Sequence, residues 1–361
     1  MEKSTDILLI GAGPLGIEMA VALQRANLNY LHVEAAQIGA TMQWWAPGTR
    51  WFSSNDRISI AGIPLATPFQ EKATREEYLA YLRAIVSQFN LQIDTYTRIT
   101  HITRTPDGFL LRAKKSIAGQ LLGEEQTYRA QRLILATGGT ERPNRLHIPG
   151  EDLPHVSHYF HDPHTYFNRS LLIVGGRNSA VEAALRCHRA GAKVHFSYRR
   201  PEVDPKDIKY WLYPEFSSLI KSGAITPHLG TIPSKISPTH VTLVPTHTSA
   251  ELPDTHYQFH APSCPIDFVL LLTGYVADMS LATAAGIQLT SDQELPLYNP
   301  DTMESSTPNV YIIGTATAGT QRRYKIFLEN CHIHVPRVLA HLTGQPSPSP
   351  LPTPTYDRPE S

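Results

Sequence analysis

The same supersecondary pattern occurs twice in this chain, and that repetition limits its fold more than any other feature. The first copy, DILLIGAGPLGIEMAVALQRANLNYLHVEAA (6–36), runs from an apolar strand through a glycine turn and an amphipathic stretch to a second strand and an acid. The second copy, SLLIVGGRNSAVEAALRCHRAGAKVHFSYRRP (170–201), keeps that order but closes on two arginines. An apolar strand that feeds a glycine turn and then a helix-period pattern is a βαβ unit of a parallel sheet. A chain of 361 residues is long enough for two cores. The expectation is an α/β protein of two Rossmann-like, three-layer dinucleotide-binding domains.

The first turn reads Gly11-x-Gly13-x-x-Gly16, directly after the strand, with Pro14 and Leu15 opening the helix. Gly11 allows the tight turn, Gly13 lets a pyrophosphate approach the backbone, and Gly16 lets helix and strand pack closely. The free N–H groups and positive end of the helix then face the phosphates. Glu34 stands twenty-one residues beyond Gly13, where a carboxylate accepts from both ribose hydroxyls. This combination predicts FAD.

The second turn keeps Gly175 and Gly176 and ends in Asn178, Ser179 and Ala180, but Arg177 takes the place of the motif's second glycine. That arginine crowds a pyrophosphate unless its side chain turns outward to meet a phosphate. Arg199 and Arg200 stand where the first unit has its acid, and two guanidiniums suit a 2′-phosphate. This unit predicts NADPH. Two further strands, LILATGG (with Thr137 and Gly138) and VYIIGTATAG (with Gly314), end in small-residue turns. They predict exit from and return to the first domain close to its cofactor, with a long helix following the second.

Between the units, Arg75 to Phe89 reads as a helix, and FLLRAKK and QTYRAQRLILATGG as strands. SKISPTHVTLVP and PIDFVLLLTGY read as strands after the second unit. The expected organisation is a discontinuous FAD domain (1–150 and 292–345), an inserted NADPH domain (155–288) and a Pro/Ser-rich tail (346–361) unable to bury a core.

Composition narrows the function classes. A formal net charge of 0 gives no electrostatic footprint for nucleic acid or a membrane surface. Apolar runs are too short to span a bilayer, and a strand within six residues of the start leaves no room for a signal peptide. Three scattered cysteines without a CxxC suit a reducing cytoplasm. The seventeen histidines form no zinc-ligand spacing, so no metal is expected.

Several longer stretches resemble a known family: WFSSNDRISIAGIPL, LPHVSHYFHDPHTYF, VGGRNSAVEAAL, IKYWLYPEF, LLTGYVADMSLATAAGI and AGTQRRYKIFLEN. They are similar to the thioredoxin-reductase type of two-dinucleotide flavoproteins, and most of all to the YpdA family of bacillithiol disulfide reductases. The resemblance runs to about Gly344. It implies FAD at Gly11, Gly13, Gly16 and Glu34, with Thr137 and Gly314 near it. It implies NADPH at Gly175, Asn178, Ser179 and Ala180, with Arg199 and Arg200 on the phosphate. A basic residue at the Arg177 position is the family's own variant.

One departure concerns the chemistry. Family members often carry a cysteine after the proline of the first turn; here that position is Leu15, which cannot attack a disulfide. Free cysteine is usually a small buried hydrophobe, which is the first reading of Cys187, Cys264 and Cys331; the last is the least remote redox candidate because its helix is expected to run past the flavin. His158 is a candidate acid–base group or, as the plainer reading, part of an aromatic linker. Trp44, Trp45, Trp51 and Phe52 either wall a flavin site or fill a core, and Ser53, Ser54 and Asn55 are polar candidates for the flavin ring.

The sequence therefore predicts an NADPH-dependent FAD oxidoreductase acting on a small-molecule or small redox-protein acceptor, and the resemblance implies foremost a low-molecular-weight disulfide. A flavin monooxygenase, a quinone or ferredoxin reductase and a redox-sensing module are the alternatives. Homo-oligomerisation stays open.

Overall fold

The computed structural model describes residues 2–246, 263–290, 294–321 and 325–346. The expected tail beyond residue 346 lies outside them. The chain divides into two compact units. The first comprises the chain up to Gln43, Gly48–Arg142 and the chain from Tyr275 onward; the second comprises Trp44–Pro47 and Pro143–Gly274. The switch points thus lie at Pro143 and Tyr275, where sequence reading set them at 150–155 and 288–292. The late switch has a physical basis: Ala277, Met279, Ala282, Ala285 and Ile287 are buried in one core with Leu8, Phe109 and Val310.

In the first unit, Tyr30–Val33, Glu2–Ile10, Gln120–Leu135, Gly108–Ile117 and Thr97–Thr105 lie side by side in that order, with Val310–Ile312 also beside Gln120–Leu135. The pairs around the glycine turn are parallel; the last three strands of that order are antiparallel. Side chains of Leu8, Leu9, Leu133, Ile134, Leu135, Val310 and Ile312 are wholly buried, so these strands read as continuous apolar runs. Helix Arg75–Gln88 starts at a capping box: Thr74 Oγ1 accepts from Glu77 N–H, and Glu77 accepts from Thr74 N–H at 2.7 Å. It buries Tyr78, Tyr81, Leu82 and Ile85, an i, i+3, i+4, i+7 face.

The second unit is built on a five-stranded sheet in the order Thr226–Leu229, Lys193–Tyr198, Ser170–Val174, Phe268–Leu271, Val156–Ser157, with every pair parallel. Helix Asn178–Arg189 packs Val181, Ala184, Leu185 and Cys187 into the core with Leu171, Ile173 and Phe196. Strands Thr231–Ile236 and His240–Pro245 form an antiparallel hairpin, joined by Ser263–Pro265.

The expected long final helix is not formed. After Val310–Ile312 the chain makes a 3-10 turn at Gly314–Ala318, a second at Leu328–Asn330, and then helix His334–Thr343. Side chains take the backbone groups a helix would need. Gln321 Oε1 accepts from the N–H of Lys325 and Ile326, and Asn330 Oδ1 accepts from Phe327 N–H. Gly319, at φ +51°, also turns the chain out of helical geometry.

Candidate functional site

The three glycines of the first turn do different work. Gly11 has φ +105°, its N–H donates to Val33 O at 2.9 Å, and a Cβ there would stand 2.4 Å from Ala136 O. A Cβ on Gly16 would stand 1.9 Å from Gly11 O. These two are glycine because protein backbone fills the space. Gly13 differs: a Cβ there meets nothing within 4 Å. This open position lies at the N-terminal end of helix Pro14–Arg25, where Gly13, as N-cap residue, supplies no side-chain cap. Such an end carries partial positive charge and is suited to a pyrophosphate.

Glu34 is held by the same turn. Its Oε2 accepts from Ala12 N–H at 2.7 Å and its Oε1 from Ala36 N–H at 2.8 Å. Burial pushes its carboxyl up, while these N–H groups and Arg98 pull it down. Each oxygen keeps a lone pair beyond the backbone bond, which is what a ribose diol requires.

Two chain segments converge on this turn. Ala136 contacts Gly11 and Gly16, and Thr137 follows it. Gly138 has φ +85°, with the Glu141 carboxylate 2.7 Å from its Cβ position. Gly314, at φ +72°, faces Leu15: a Cβ there would lie 3.5 Å from the Leu15 Cβ. Leu15 is buried and apolar at this rim.

Two histidines that no spacing singled out steady these glycines. His32 Nε2 lies 2.9 Å from Gly11 O, and His334 Nδ1 accepts from Gly314 N–H at 3.1 Å. Burial pushes both down to about 4, with Arg337 and His332 adding to the effect at His334. Both therefore act as neutral imidazoles, His32 donating from Nε2.

The polar candidates Ser53, Ser54 and Asn55 lie together in the first unit. The Asn55 amide is engaged within the unit, donating to Thr67 Oγ1 and Glu71 O and accepting from Ala73 N–H at 2.8 Å. With these three bonds it ties two loops of the unit together. Ser54 is the N-cap residue of the short helix Asn55–Ile58, and Ser53 precedes it, half-buried. The aromatic quartet is divided between the units. Trp51 meets Tyr78 at a 52° tilt with ring centroids 4.5 Å apart in the first; Trp44 lies 5.0 Å from Tyr159 in the second.

In the second turn, Gly175 has φ +147° and donates to Ser197 O at 3.0 Å, the counterpart of the Gly11–Val33 bond. A Cβ on Gly175 would lie 2.5 Å from Leu272 O and 2.9 Å from the Ala180 Cβ, so Ala180 plays the part of Gly16. Arg177 is the N-cap residue, in extended conformation, and its side chain makes no cap bond to helix Asn178–Arg189. Asn178 Oδ1 accepts from Lys209 N–H at 2.8 Å, and Ser179 is exposed. This register corrects one expectation: the residue equivalent to Glu34 is Tyr198, and the arginines come one and two places later. Arg199 is exposed; Arg200 meets Asp207 at 3.2 Å.

Two of the remaining chemical candidates, Cys187 and Cys331, are buried thiols. Cys331 is not in a helix; it follows the 3-10 turn Leu328–Asn330, fully buried, with its thiol pushed up to about 12 by burial and by Glu18. Burial likewise pushes Cys187 up to about 12. Neither supplies thiolate near neutral pH. Cys264 lies on strand Ser263–Pro265. His158 Nε2 stands 3.3 Å from the buried Glu151 carboxylate, which itself accepts from the N–H groups of Leu146, His147 and Ile148. Burial lowers the His158 imidazole, and it backs a carboxylate already spent on a turn. Among the described residues no cluster of three or more His, Cys, Asp or Glu could hold a metal, and no helix is long and apolar enough to cross a membrane.

Comparison with known proteins agrees with this geometry. Residues 8–314 match the family model for pyridine nucleotide-disulphide oxidoreductase. Bacilliredoxin reductase Bdr of Bacillus subtilis (strain 168) is 30% identical over 336 residues, 93% of this chain and 96% of the relative. The solved bacillithiol disulfide reductase Bdr (YpdA) from Bacillus cereus superposes with a TM-score of 0.85 at 30% identity, covering 95% of this chain and 99% of that one. A ferredoxin–NADP reductase of Ignicoccus hospitalis is 23% identical over 321 residues, 88% of this chain and 92% of the relative. A chain with two dinucleotide turns and this likeness end to end belongs to the pyridine nucleotide-disulphide oxidoreductases, as a member of their Bdr (YpdA) family: an oxidoreductase that works with a flavin and a pyridine nucleotide.

Proposed function

We propose that the chain is an NADPH-dependent, FAD-containing oxidoreductase that reduces a low-molecular-weight disulfide. The observation that carries this reading is the chemical opposition of its two turns. One ends in the carboxylate Glu34, suited to a free ribose diol; the other is followed by Arg199 and Arg200, suited to a phosphorylated ribose. When bound, the two cofactors supply hydride transfer and two-electron delivery to an acceptor.

The chain's own part is to bind, orient and exclude water. The open face at Gly13 and the uncapped helix end take the FAD pyrophosphate, and Glu34 takes the ribose. Gly175 to Ala180 take the second pyrophosphate. His334 holds the Gly314 N–H, and Leu15 keeps that rim apolar. Because Cys187 and Cys331 are buried thiols, disulfide reduction proceeds without a thiolate from either; electrons come from the flavin directly or through a thiol of the substrate. The acceptor class follows the relatives named for bacilliredoxin and bacillithiol disulfide. Unpaired thiols suit a reducing compartment, and we place the protein in the cytoplasm.

The absence of a cysteine at position 15 also favours a second reading, a ferredoxin reductase, since a one-electron protein acceptor needs no thiol. One experiment separates the readings. The protein is reduced anaerobically with NADPH and mixed in turn with disulfides, ferredoxin, quinones and oxygen. Fastest reoxidation by a disulfide is expected; fastest reoxidation by ferredoxin or oxygen replaces the disulfide reading.

A further inference from the structure

The Gly175–Gly176 pair has a cause unrelated to phosphate approach. The Tyr198 ring lies directly on Gly176: a Cβ there would stand 2.1 Å from Tyr198 Cε2, 2.2 Å from Cδ2 and 2.4 Å from Cζ. Tyr198 is buried at the end of strand Lys193–Tyr198. The matched bonds Gly11 N–H to Val33 O and Gly175 N–H to Ser197 O align Tyr198 with Glu34, and Gly176 with Ala12. In the first unit, the residue at this position sends its carboxylate to the Ala12 N–H. In the second, an aromatic face covers the equivalent glycine and no carboxylate is present.

We infer that Tyr198 is a specificity-determining residue that discriminates against NADH, acting separately from the arginines that favour NADPH. It does so by omission and by occupancy. A 2′,3′-diol is best held by a carboxylate acceptor at this strand end, and Tyr198 offers only a neutral phenol oxygen beyond an apolar ring. The ring also fills the space over residue 176 into which a carboxylate would fold. Discrimination between two ligands uses loss for one as well as gain for the other. A diol left without its acceptor loses a charge-assisted hydrogen bond, about tenfold or more in affinity. Arg199, next in the chain and exposed, is then the main partner for the phosphate, while Arg200 is already paired with Asp207. The inference rests on the reading that this unit binds NADPH.

The test copies the first turn into the second. Four forms of the flavoprotein are compared: wild type, Tyr198→Phe, Tyr198→Glu, and Gly176→Ala/Tyr198→Glu, the last reproducing the Ala12–Glu34 pair. NAD+ and NADP+ binding is measured by calorimetry, and flavin bleaching by NADH and NADPH by stopped flow. Tyr198→Phe keeps the ring and should leave the NADP+/NAD+ affinity ratio within about twofold. The glutamate variants should bind NAD+ about tenfold tighter than wild type, bleach faster with NADH and bind NADP+ more weakly. Tyr198→Glu needs no new Cβ and carries the test if the double variant does not fold. Folded glutamate variants with unchanged NAD+ affinity overturn the inference alone, as does a Phe variant that shifts the ratio equally. A wild type that binds neither nucleotide overturns the NADPH reading as well.

Discussion

Glu18 and His332, 314 residues apart in sequence, meet at 2.9 Å between Oε2 and Nδ1. The other ring nitrogen, Nε2, lies 2.9 Å from the Arg57 carbonyl oxygen. Both partners are acceptors, so the imidazole satisfies both only when doubly protonated. The contact joins the first helix to the segment that follows the Leu328–Asn330 turn. Burial alone would lower the His332 imidazole; Glu18, the Arg57 carbonyl and Glu329 outweigh it and raise it above 6.5.

A raised folded-state value sets the sign of the pH dependence. The contact stabilises the fold fully below about pH 6.5 and weakens as pH rises through the folded value. Glu18→Gln should therefore cost about 1–2 kcal/mol at pH 6 and much less at pH 9. Urea unfolding at the two pH values measures this. An equal loss at both would show that the charge on His332 contributes nothing.

The glycines of the first turn should separate flavin retention from folding. Gly13→Val enters space that the protein leaves open, so the variant should fold with little change in melting temperature but lose its yellow colour. Gly16→Ala meets Gly11 O and should lower stability by about 1–3 kcal/mol or more before any cofactor is considered. Flavin absorbance per protein, set beside thermal unfolding, distinguishes them. A Gly13→Val protein with full flavin content would remove that face as the pyrophosphate site.

Neutralising Arg199 and Arg200 together should weaken NADPH by about tenfold or more while leaving NADH nearly unchanged. Asp207 already engages Arg200 at 3.2 Å, so Arg199→Ala alone should account for most of the loss. Steady-state kcat/KM for both nucleotides checks the point; parallel losses would mean the arginines do not read the 2′-phosphate.

Thiols pushed up to about 12 are about one part in ten thousand thiolate at pH 8. Cys187 and Cys331 should stay unmodified by iodoacetamide until denaturant is added, as read by mass spectrometry. A protein lacking all three cysteines should still accept hydride from NADPH at near wild-type rate. Loss of disulfide reduction in that protein, with flavin and NADPH reduction intact, would restore a redox role to one of the three.

Features set by local rules were legible in the sequence. A strand that must be buried, a glycine that must turn and an acid at the strand end all declare themselves within a few residues, and Gly11, Gly16 and Glu34 occupy such positions. Features set by distant partners were not. Tyr198 takes the acid's place only once the strand register is known, and Asn55 is consumed by Thr67, Glu71 and Ala73. Strand Thr97–Thr105 was missed because TRITHITRT buries little besides Thr97 and Ile99 and lacks an apolar run. The final helix was overestimated because Gln321 and Asn330 divert its backbone bonds, a competition that apolar periodicity does not record.

Glu34 has a last consequence. Both of its oxygens already rest on N–H groups of the chain, at 2.7 and 2.8 Å, so the carboxylate needs no visitor to be satisfied. The cradle is finished before anything is laid in it. Stripped of its pigment, the protein should keep its far-ultraviolet signature and regain colour on simple mixing, without passing through an unfolded state.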